Sequence, residues 1–246
     1  SAAESIRQIV HEGEIADKYG IDVIGVGEHH RPDYSVSSPE TVLAAIASVT
    51  QKIKLATAVT VLSSDDPVRV YERFVTLDGL SNGRAQVMLG RGSFTESFPL
   101  FGYDLTDYDD LFNEKLELFD KLRTEKAVTW SGKFRAALKE QEVYPKTESG
   151  KLETYIGIGG SPESIIRAAR FGYKVIIAII GGQADRFKPY IDLYHKANQK
   201  FGTPDLPIAV HSHGFIADDN HEAVEVAFKN IKANFDRIGL TRGWLL

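Results

Sequence analysis

A carboxylate and two imidazoles stand side by side at Glu28, His29 and His30, directly after the short apolar segment 23–27. A brief segment that is rich in β-branched residues and flanked by glycines is typical of a buried strand, which places the three groups at its carboxyl end. Ligands of α/β proteins bind at that end, and imidazole is suited to proton transfer near neutral pH. The pattern predicts a catalytic cleft. The alternative is one histidine hydrogen-bonded inside the fold and the other in solvent.

Arg91 lies between Gly90 and Gly92, directly after the predicted strand 85–89. Glycines on both sides would let the guanidinium and bare backbone N–H groups approach a negative charge. The position therefore favours an anion-binding site, with a plain turn carrying a surface arginine as the alternative.

A second glycine-rich turn follows the predicted strand 155–158 and opens a predicted helix. Its candidate ligands are Gly159, Gly160, Ser161 and Ser164. The exposed N–H groups and the positive end of the helix dipole suit a phosphate. An ordinary N-cap explains the same residues equally well.

His211 and His213 alternate along a further predicted strand, so their side chains would share one face. Together with His29 and His30 they raise the question of a metal site. Glu28 is the only carboxylate available to complete such a set, and no H-E-x-x-H pattern occurs. We therefore expect no metal, and expect these histidines to hydrogen-bond a ligand or water.

The elements that must position these groups alternate between helix and strand. The predicted helices are 5–19, 37–49, 68–80, 108–124, 162–171, 186–201 and 221–238, and the predicted strands are 23–27, 53–62, 85–89, 155–158, 175–180 and 208–216. Such alternation predicts a parallel sheet with right-handed crossovers.

The fold predicted from this alternation is an α/β, TIM-type (β/α)8 barrel. Six strands are visible, so the first and last strands are expected to be absent from the given chain. An open doubly wound sheet is the alternative, although no G-x-G-x-x-G turn follows the first strand. We expect a single domain over 1–246, incomplete at both ends, with an irregular insertion or lid at 130–152. We assign no function to the C-terminal residues 240–246.

Composition limits the classes of protein. The chain has 246 residues, 43% of them hydrophobic, no cysteine and a formal net charge of -5. This excludes disulfides and thiolate chemistry, and argues against nucleic acid or an anionic membrane as the main partner. No apolar stretch approaches a membrane span, and we expect no signal peptide. The expectation is a soluble cytoplasmic protein that acts on a small molecule.

Several motifs, in this order and spacing, resemble the bacterial luciferase-like flavin-dependent monooxygenase family. They are V-I-G-V-G-E-H-H, A-T-A-V-T-V-L with D-P-V-R, L-S-N-G-R, L-G-R-G, I-G-G-S-P-E-S, A-A-R-F-G and A-I-I-G-G. Each motif alone is common, and the similarity runs from about residue 3 to residue 238.

The resemblance implies an enzyme that oxidises a small aldehyde- or ketone-like substrate with dioxygen and reduced FMN. It assigns proton transfer to His29, the first histidine of the E-H-H motif, and flavin-phosphate binding to Arg91. It also makes the helix start at Gly160, Ser161 and Ser164 a second phosphate anchor. The family carries a non-proline cis peptide under the flavin ring, and the matching bond here joins Ala58 to Val59.

Other properties follow from the same resemblance. A separate flavin reductase would supply the reduced FMN, and dimers are common, so a homodimer is expected. An aromatic segment, comprising Phe94, Phe98, Phe101, Tyr103 and Tyr108, would either cover the flavin or pack at the barrel rim. The segment 133–151 departs from luciferase, so light emission and a long-chain aldehyde do not follow. Two alternatives remain: an F420-dependent hydride-transfer oxidoreductase, and a flavin-binding protein without turnover.

Overall fold

Parallel strands separated by helices make up most of the chain. The computed structural model describes residues 1–148 and 150–242. The helices are α1 (Ala2–Lys18), α2 (Pro39–Val49), α3 (Pro67–Leu80), α4 (Ser97–Phe101), α5 (Tyr108–Thr124), α6 (Pro162–Arg170), α7 (Lys188–Phe201) and α8 (Asn220–Arg242). The strands are β1 (Val23–Val26), β2 (Lys54–Thr57), β3 (Thr60–Val61), β4 (Ala85–Gly90), β5 (Val128–Trp130), β6 (Leu138–Gln141), β7 (Glu153–Ile158), β8 (Lys174–Ile179) and β9 (Ile208–Ser212).

The main sheet has the strand order β1-β2-β4-β7-β8-β9, and β3 pairs with β4. Every pairing in it is parallel. All carboxyl ends therefore meet at one edge, as the alternation of helices and strands predicted. The parallel α/β architecture is confirmed, and β1 and β9 are the outer strands of the described sheet.

Three expectations about strands need correction. β1 is not fully buried: Val23 is 37% exposed, because no strand covers its outer side in the described part of the chain. The predicted strand 53–62 is divided into β2 and β3 by a cis peptide bond between Ala58 and Val59, at the position the family resemblance implied. The predicted strand 208–216 ends at Ser212, where pairing with β8 stops.

The segment 130–152 is more regular than its sequence indicates. It contains β6, which pairs antiparallel with β5. The N–H groups of Lys133 and Phe134 donate to Glu114 on α5 at 2.6 and 2.9 Å. Arg135 donates to Asp66 at 2.6 Å. The insertion is thus a hairpin held against α5 and the start of α3.

Side chains from α2, α3, α5 and α6 form most of the buried core against the sheet. Opposite the carboxyl ends, Arg84 of the L-S-N-G-R motif donates to the carbonyls of Ala47, Thr50, Ile53 and Ser81 at 2.8 to 3.1 Å. These bonds provide acceptors for the N–H groups of a partly buried guanidinium and connect the ends of α2 and α3 to the start of β4. The motif is therefore structural.

Among the described residues, none of the helices combines the length and apolar composition needed to cross a bilayer. The last four positions of the terminal segment 240–246 lie outside the described residues.

Candidate active site

Glu28 and His30 form a buried pair at the end of β1. His30 Nε2 lies 2.9 Å from Glu28 Oε1, and the two side chains are 11% and 8% exposed. Glu28 Oε2 accepts a hydrogen bond from the N–H of Val61 at 2.8 Å. The carboxylate therefore joins the end of β1 to β3 through contacts with His30 and Val61.

His29 lies in an aromatic environment separate from that pair. Its ring stacks on Tyr34 with centroids 3.9 Å apart and meets the ring of Phe94 edge-on at 5.3 Å. Burial lowers the pKa of the imidazole. The Asp33 carboxylate raises this pKa in part, and the Arg31 guanidinium lowers it further. His29 is consequently neutral near pH 7, the state in which it can accept a proton.

Glycines make room for the side chains of Ala58 and Val59. A Cβ at Gly25 would lie 3.1 Å from Ala58 Cβ, and one at Gly90 would lie 2.5 Å from Val59 Cγ2. A Cβ at Gly157 would lie 3.1 Å from Val59 Cγ1. Bare backbone from β1, β4 and β7 thus surrounds these two residues, which is how glycine permits close approach.

A cleft of about 420 Å³, part of it open to solvent, lies at the carboxyl ends of β1, β3 and β4. Its walls include Glu28, His29, His30, Ala58, Val59, Gly92 and Phe94. The structure therefore brings together the histidine pair, the cis peptide and one glycine of the L-G-R-G motif, which the sequence predicted separately.

Arg91 is beside this cleft and next to α6. Its guanidinium donates to Asp109 at 2.5 Å and lies 5.4 Å from the ring centroid of Tyr108. The Tyr108 hydroxyl donates to the Gly92 carbonyl at 2.7 Å. Arg91 also interacts electrostatically with Glu163 and Arg167 of α6, so the two predicted anion sites are neighbours.

The start of α6 is an N-cap with space beside it. Ser161 Oγ accepts a hydrogen bond from the N–H of Ser164 at 3.4 Å and donates to Glu163 at 2.7 Å. The Gly160 carbonyl accepts from the Tyr190 hydroxyl at 2.7 Å. A Cβ at Gly159 would meet no atom within 4 Å. The geometry suits an anion, with Glu163 as the competing negative charge.

The distances between strands fit one extended ligand. Adjacent parallel strands lie roughly 4.8 Å apart, and β2 separates β1 from β4, so the ends of β1 and β4 are about 10 Å apart. β7, which leads into α6, is the next strand. A ligand with a flat ring beside His29 and an anionic group at Arg91 would span this edge.

His211, on β9, and His213, just beyond it, are both exposed. His213 is just beyond the strand and packs edge-on against Phe235 at 5.8 Å. In the described part of the chain, no three histidine or carboxylate side chains come together to hold a metal ion. Neither histidine is among the residues that line the cleft.

The aromatic residues after Arg91 lie in two different environments. Phe94 contacts His29, and Phe101 meets the ring of His30 edge-on at 5.1 Å. Phe98 is fully buried and stacks on Tyr108 at 5.4 Å. One part of the segment therefore adjoins the histidines, whereas the other packs as core.

Sequence reasoning missed several residues around His29. Tyr34 caps its ring, and Arg31 packs on Phe94 at 4.7 Å while it pairs with Asp33 and Glu96. Their position in the loop directly after the E-H-H motif was the available signal. A loop that follows a catalytic strand is the natural cover of that site.

The chain is similar to known proteins over nearly its whole length. The sequence profile of the luciferase-like monooxygenase family matches residues 1–240. The alkanal monooxygenase alpha chain of Photorhabdus luminescens is 27% identical over 244 residues, which cover 96% of this chain and 64% of that relative. The chain thus spans somewhat less than two thirds of that protein's length.

Two solved structures have the same fold at low identity. One is the oxygenating constituent of 3,6-diketocamphane monooxygenase from the CAM plasmid of Pseudomonas putida, a type II Baeyer-Villiger monooxygenase in complex with FMN. Its TM-score is 0.81 at 24% identity, covering 96% of this chain and 70% of that one.

The other is the coenzyme F420-dependent tetrahydromethanopterin reductase of Methanopyrus kandleri. Its TM-score is 0.74 at 20% identity, covering 90% of this chain and 66% of that one. At these identities the likeness establishes the fold alone. The profile match over nearly the whole chain establishes more: the chain belongs to the luciferase-like monooxygenase family.

Proposed function

We propose that this protein is an FMN-dependent monooxygenase that inserts one oxygen atom of dioxygen into a small aldehyde- or ketone-like substrate. The observation that carries the proposal is the cleft in which neutral His29 lies beside Ala58, Val59 and Gly92. Membership of the family and the FMN complex of the diketocamphane enzyme support it.

The residues present fit FMN. Arg91, Gly92 and the start of α6 at Gly159, Gly160, Ser161 and Ser164 would hold the phosphate. Two observations support this fit: the open space at Gly159 and a buried, unpartnered guanidinium nitrogen of Arg167 nearby. Ala58 and Val59 would support the ring. When bound in its reduced form, FMN would supply the two electrons with which one oxygen atom enters the substrate and the other leaves as water.

His29 is the proposed proton carrier. Its imidazole is neutral because burial lowers its pKa, so it can accept a proton from the reacting oxygen or substrate and return it. Glu28 and His30 fix the end of β1 through the bond from Val61 to Glu28 and the bond between Glu28 and His30. Their role would be to hold His29 in place at the wall of the cleft.

Tyr34 and Phe94 would exclude water from His29. Both rings contact the imidazole, and the Arg31 pair with Glu96 links the two loops that carry them. Exclusion of water strengthens electrostatic interactions in a site and suppresses side reactions of the reduced cofactor.

The competing proposal is F420-dependent hydride transfer, supported by the shared fold of the F420-dependent reductase. The E-H-H motif favours the flavin. A flavin-binding protein without turnover would need the phosphate residues but not the buried His29. A separate flavin reductase as electron donor and a homodimeric assembly complete the proposal, both by analogy with the family.

The test is oxygen consumption with reduced FMN over a panel of aldehydes and cyclic ketones, with products identified by mass. A substrate-dependent product heavier by one oxygen atom supports the proposal. Binding of reduced F420 with reduction of a ketone, and no oxygenated product, would support the competitor. FMN binding without any product over the panel would support the silent binder.

A further inference from the structure

Arg167, on α6, has one guanidinium nitrogen for which the described part of the fold provides no acceptor. Its Nη1 atom is buried and has no hydrogen-bond partner among the described residues. The guanidinium carbon lies 5.4 Å from the ring centroid of Phe112 on α5. A buried N–H of a charged group is costly when nothing receives it. Nη1 is therefore suited to an acceptor that a ligand brings.

The charges around Arg167 point to an anion. Burial lowers the pKa of its guanidinium, and the nearby Arg91 lowers it further, whereas Asp109 and Glu163 act in the opposite direction. Asp109 already accepts from Arg91 at 2.5 Å, and Glu163 accepts from Ser161 at 2.7 Å. Arg167 Nη1 therefore has no acceptor while its guanidinium is repelled by Arg91, an arrangement that an added negative charge would relieve.

We infer that Arg167 is a second cationic ligand of the phosphate that we place at Arg91 and the start of α6, and that it selects a phosphate monoester. The inference rests on the proposed function, since it adds a residue to the same site. Arg167 follows Ser164 by three residues, so the two lie on one face of α6. A phosphate oxygen bound to both guanidinium groups would satisfy Nη1 and offset their repulsion.

The choice of monoester follows from charge. A phosphate monoester such as that of FMN carries about 1.5 to 2 negative charges at pH 7. The phosphodiester of coenzyme F420 carries one. Two guanidinium groups match the first better than the second, because each additional negative charge gains a cationic partner.

The experiment is a fluorescence or absorbance titration of FMN, riboflavin and F420 into wild-type protein and variants. Arg167→Gln should weaken FMN binding by about 10- to 100-fold, as expected for a charge-assisted hydrogen bond. Riboflavin affinity should not change, and F420 affinity should change less than FMN affinity. The matched control is Arg170→Gln, since Arg170 is exposed on the same helix and packs on Phe171 at 5.8 Å.

The pH dependence of FMN affinity supplies a second measurement. The charged groups around the site are Arg91 after β4, Asp109 on α5, and Glu163 and Arg167 on α6. The second pKa of a phosphate monoester is about 6, so wild-type affinity should rise between about pH 5 and 7.5 as the dianion forms. The rise should be smaller in Arg167→Gln, which a purely structural role would not produce.

The outcomes are separable. If Arg167→Gln binds FMN as Arg170→Gln does, while Arg91→Gln binds it weakly, the assignment of Arg167 is wrong and the proposed function stands. If wild-type protein does not bind FMN, the proposed function is wrong and this assignment with it. Should Arg167→Gln not fold, Arg167→Met decides: it keeps an apolar side chain beside Phe112 but removes the charge. An unchanged FMN affinity in that variant also overturns the inference.

Discussion

Enlarging Gly90 to alanine and shortening Val59 to alanine, singly and together, tests the packing that forms the cleft. A methyl group at Gly90 would lie 2.5 Å from Val59 Cγ2 and 3.2 Å from Val59 Cβ, against a contact distance of about 3.5 to 4.0 Å between carbons. Gly90→Ala should therefore lower the free energy of unfolding by about 1 to 3 kcal/mol, the range for overpacking. Val59 is only half-buried, so Val59→Ala should cost about 1 kcal/mol or less.

The double variant Gly90→Ala/Val59→Ala is decisive, because it removes both methyl groups of Val59 and leaves only the 3.2 Å contact with Val59 Cβ. Its stability in urea denaturation should lie much closer to that of Val59→Ala than additivity predicts, so the two substitutions are strongly non-additive. The control is Gly79→Ala: a Cβ there meets nothing within 4 Å, and alanine in a helix should stabilise α3 by about 0.5 to 1 kcal/mol. Strict additivity, or a Gly90→Ala variant as stable as wild type, would refute the described packing.

Three further predictions concern named groups. His29→Gln should lower turnover by roughly a hundredfold with little change in FMN affinity. Because burial lowers the His29 pKa, the acidic limb of the wild-type pH profile of kcat/KM should lie below pH 6.5. An acidic limb above pH 7 would contradict this. Lys115 donates to the Ser63 carbonyl at 2.7 Å in the core, and burial lowers its pKa from 10.5 to about 8. Between those values the unfolded chain binds more protons than the folded protein, so wild-type stability should rise with pH by up to about 3 kcal/mol relative to Lys115→Met. Urea denaturation would contradict this if the difference in free energy of unfolding between wild type and Lys115→Met were the same at every pH from 8 to 10.5. Glu28→Ala should destabilise the fold by about 1 to 3 kcal/mol because the Val61 N–H loses its acceptor, and Glu28→Gln should cost less; equal losses in thermal or urea unfolding would count against the contact.

Periodicity and glycine placement predicted the sheet well. Alternating elements gave the parallel order, and the strands before His29, Arg91 and Gly159 each end at the same edge. This could be foreseen because buried strands and capped helices leave local patterns in a sequence.

Long-range contacts left no such pattern. The stacking of Tyr34 on His29 depends on how the loop after β1 turns. The proximity of Arg91 to Arg167 depends on how α5 and α6 pack. The break between β2 and β3 could not be predicted from periodicity, because the apolar run continues through it; the family resemblance alone indicated the cis bond. The predicted extension of β9 failed because a strand lasts only as long as its neighbour pairs with it.

A crystal structure of the protein with FMN would test most directly whether His29 and Arg91 bind one cofactor. We expect the phosphate within hydrogen-bond distance of the Arg91 guanidinium and the N–H groups at the start of α6, and the ring in contact with Val59 and His29. A ring bound outside the cleft, or a phosphate distant from Arg91, would contradict it.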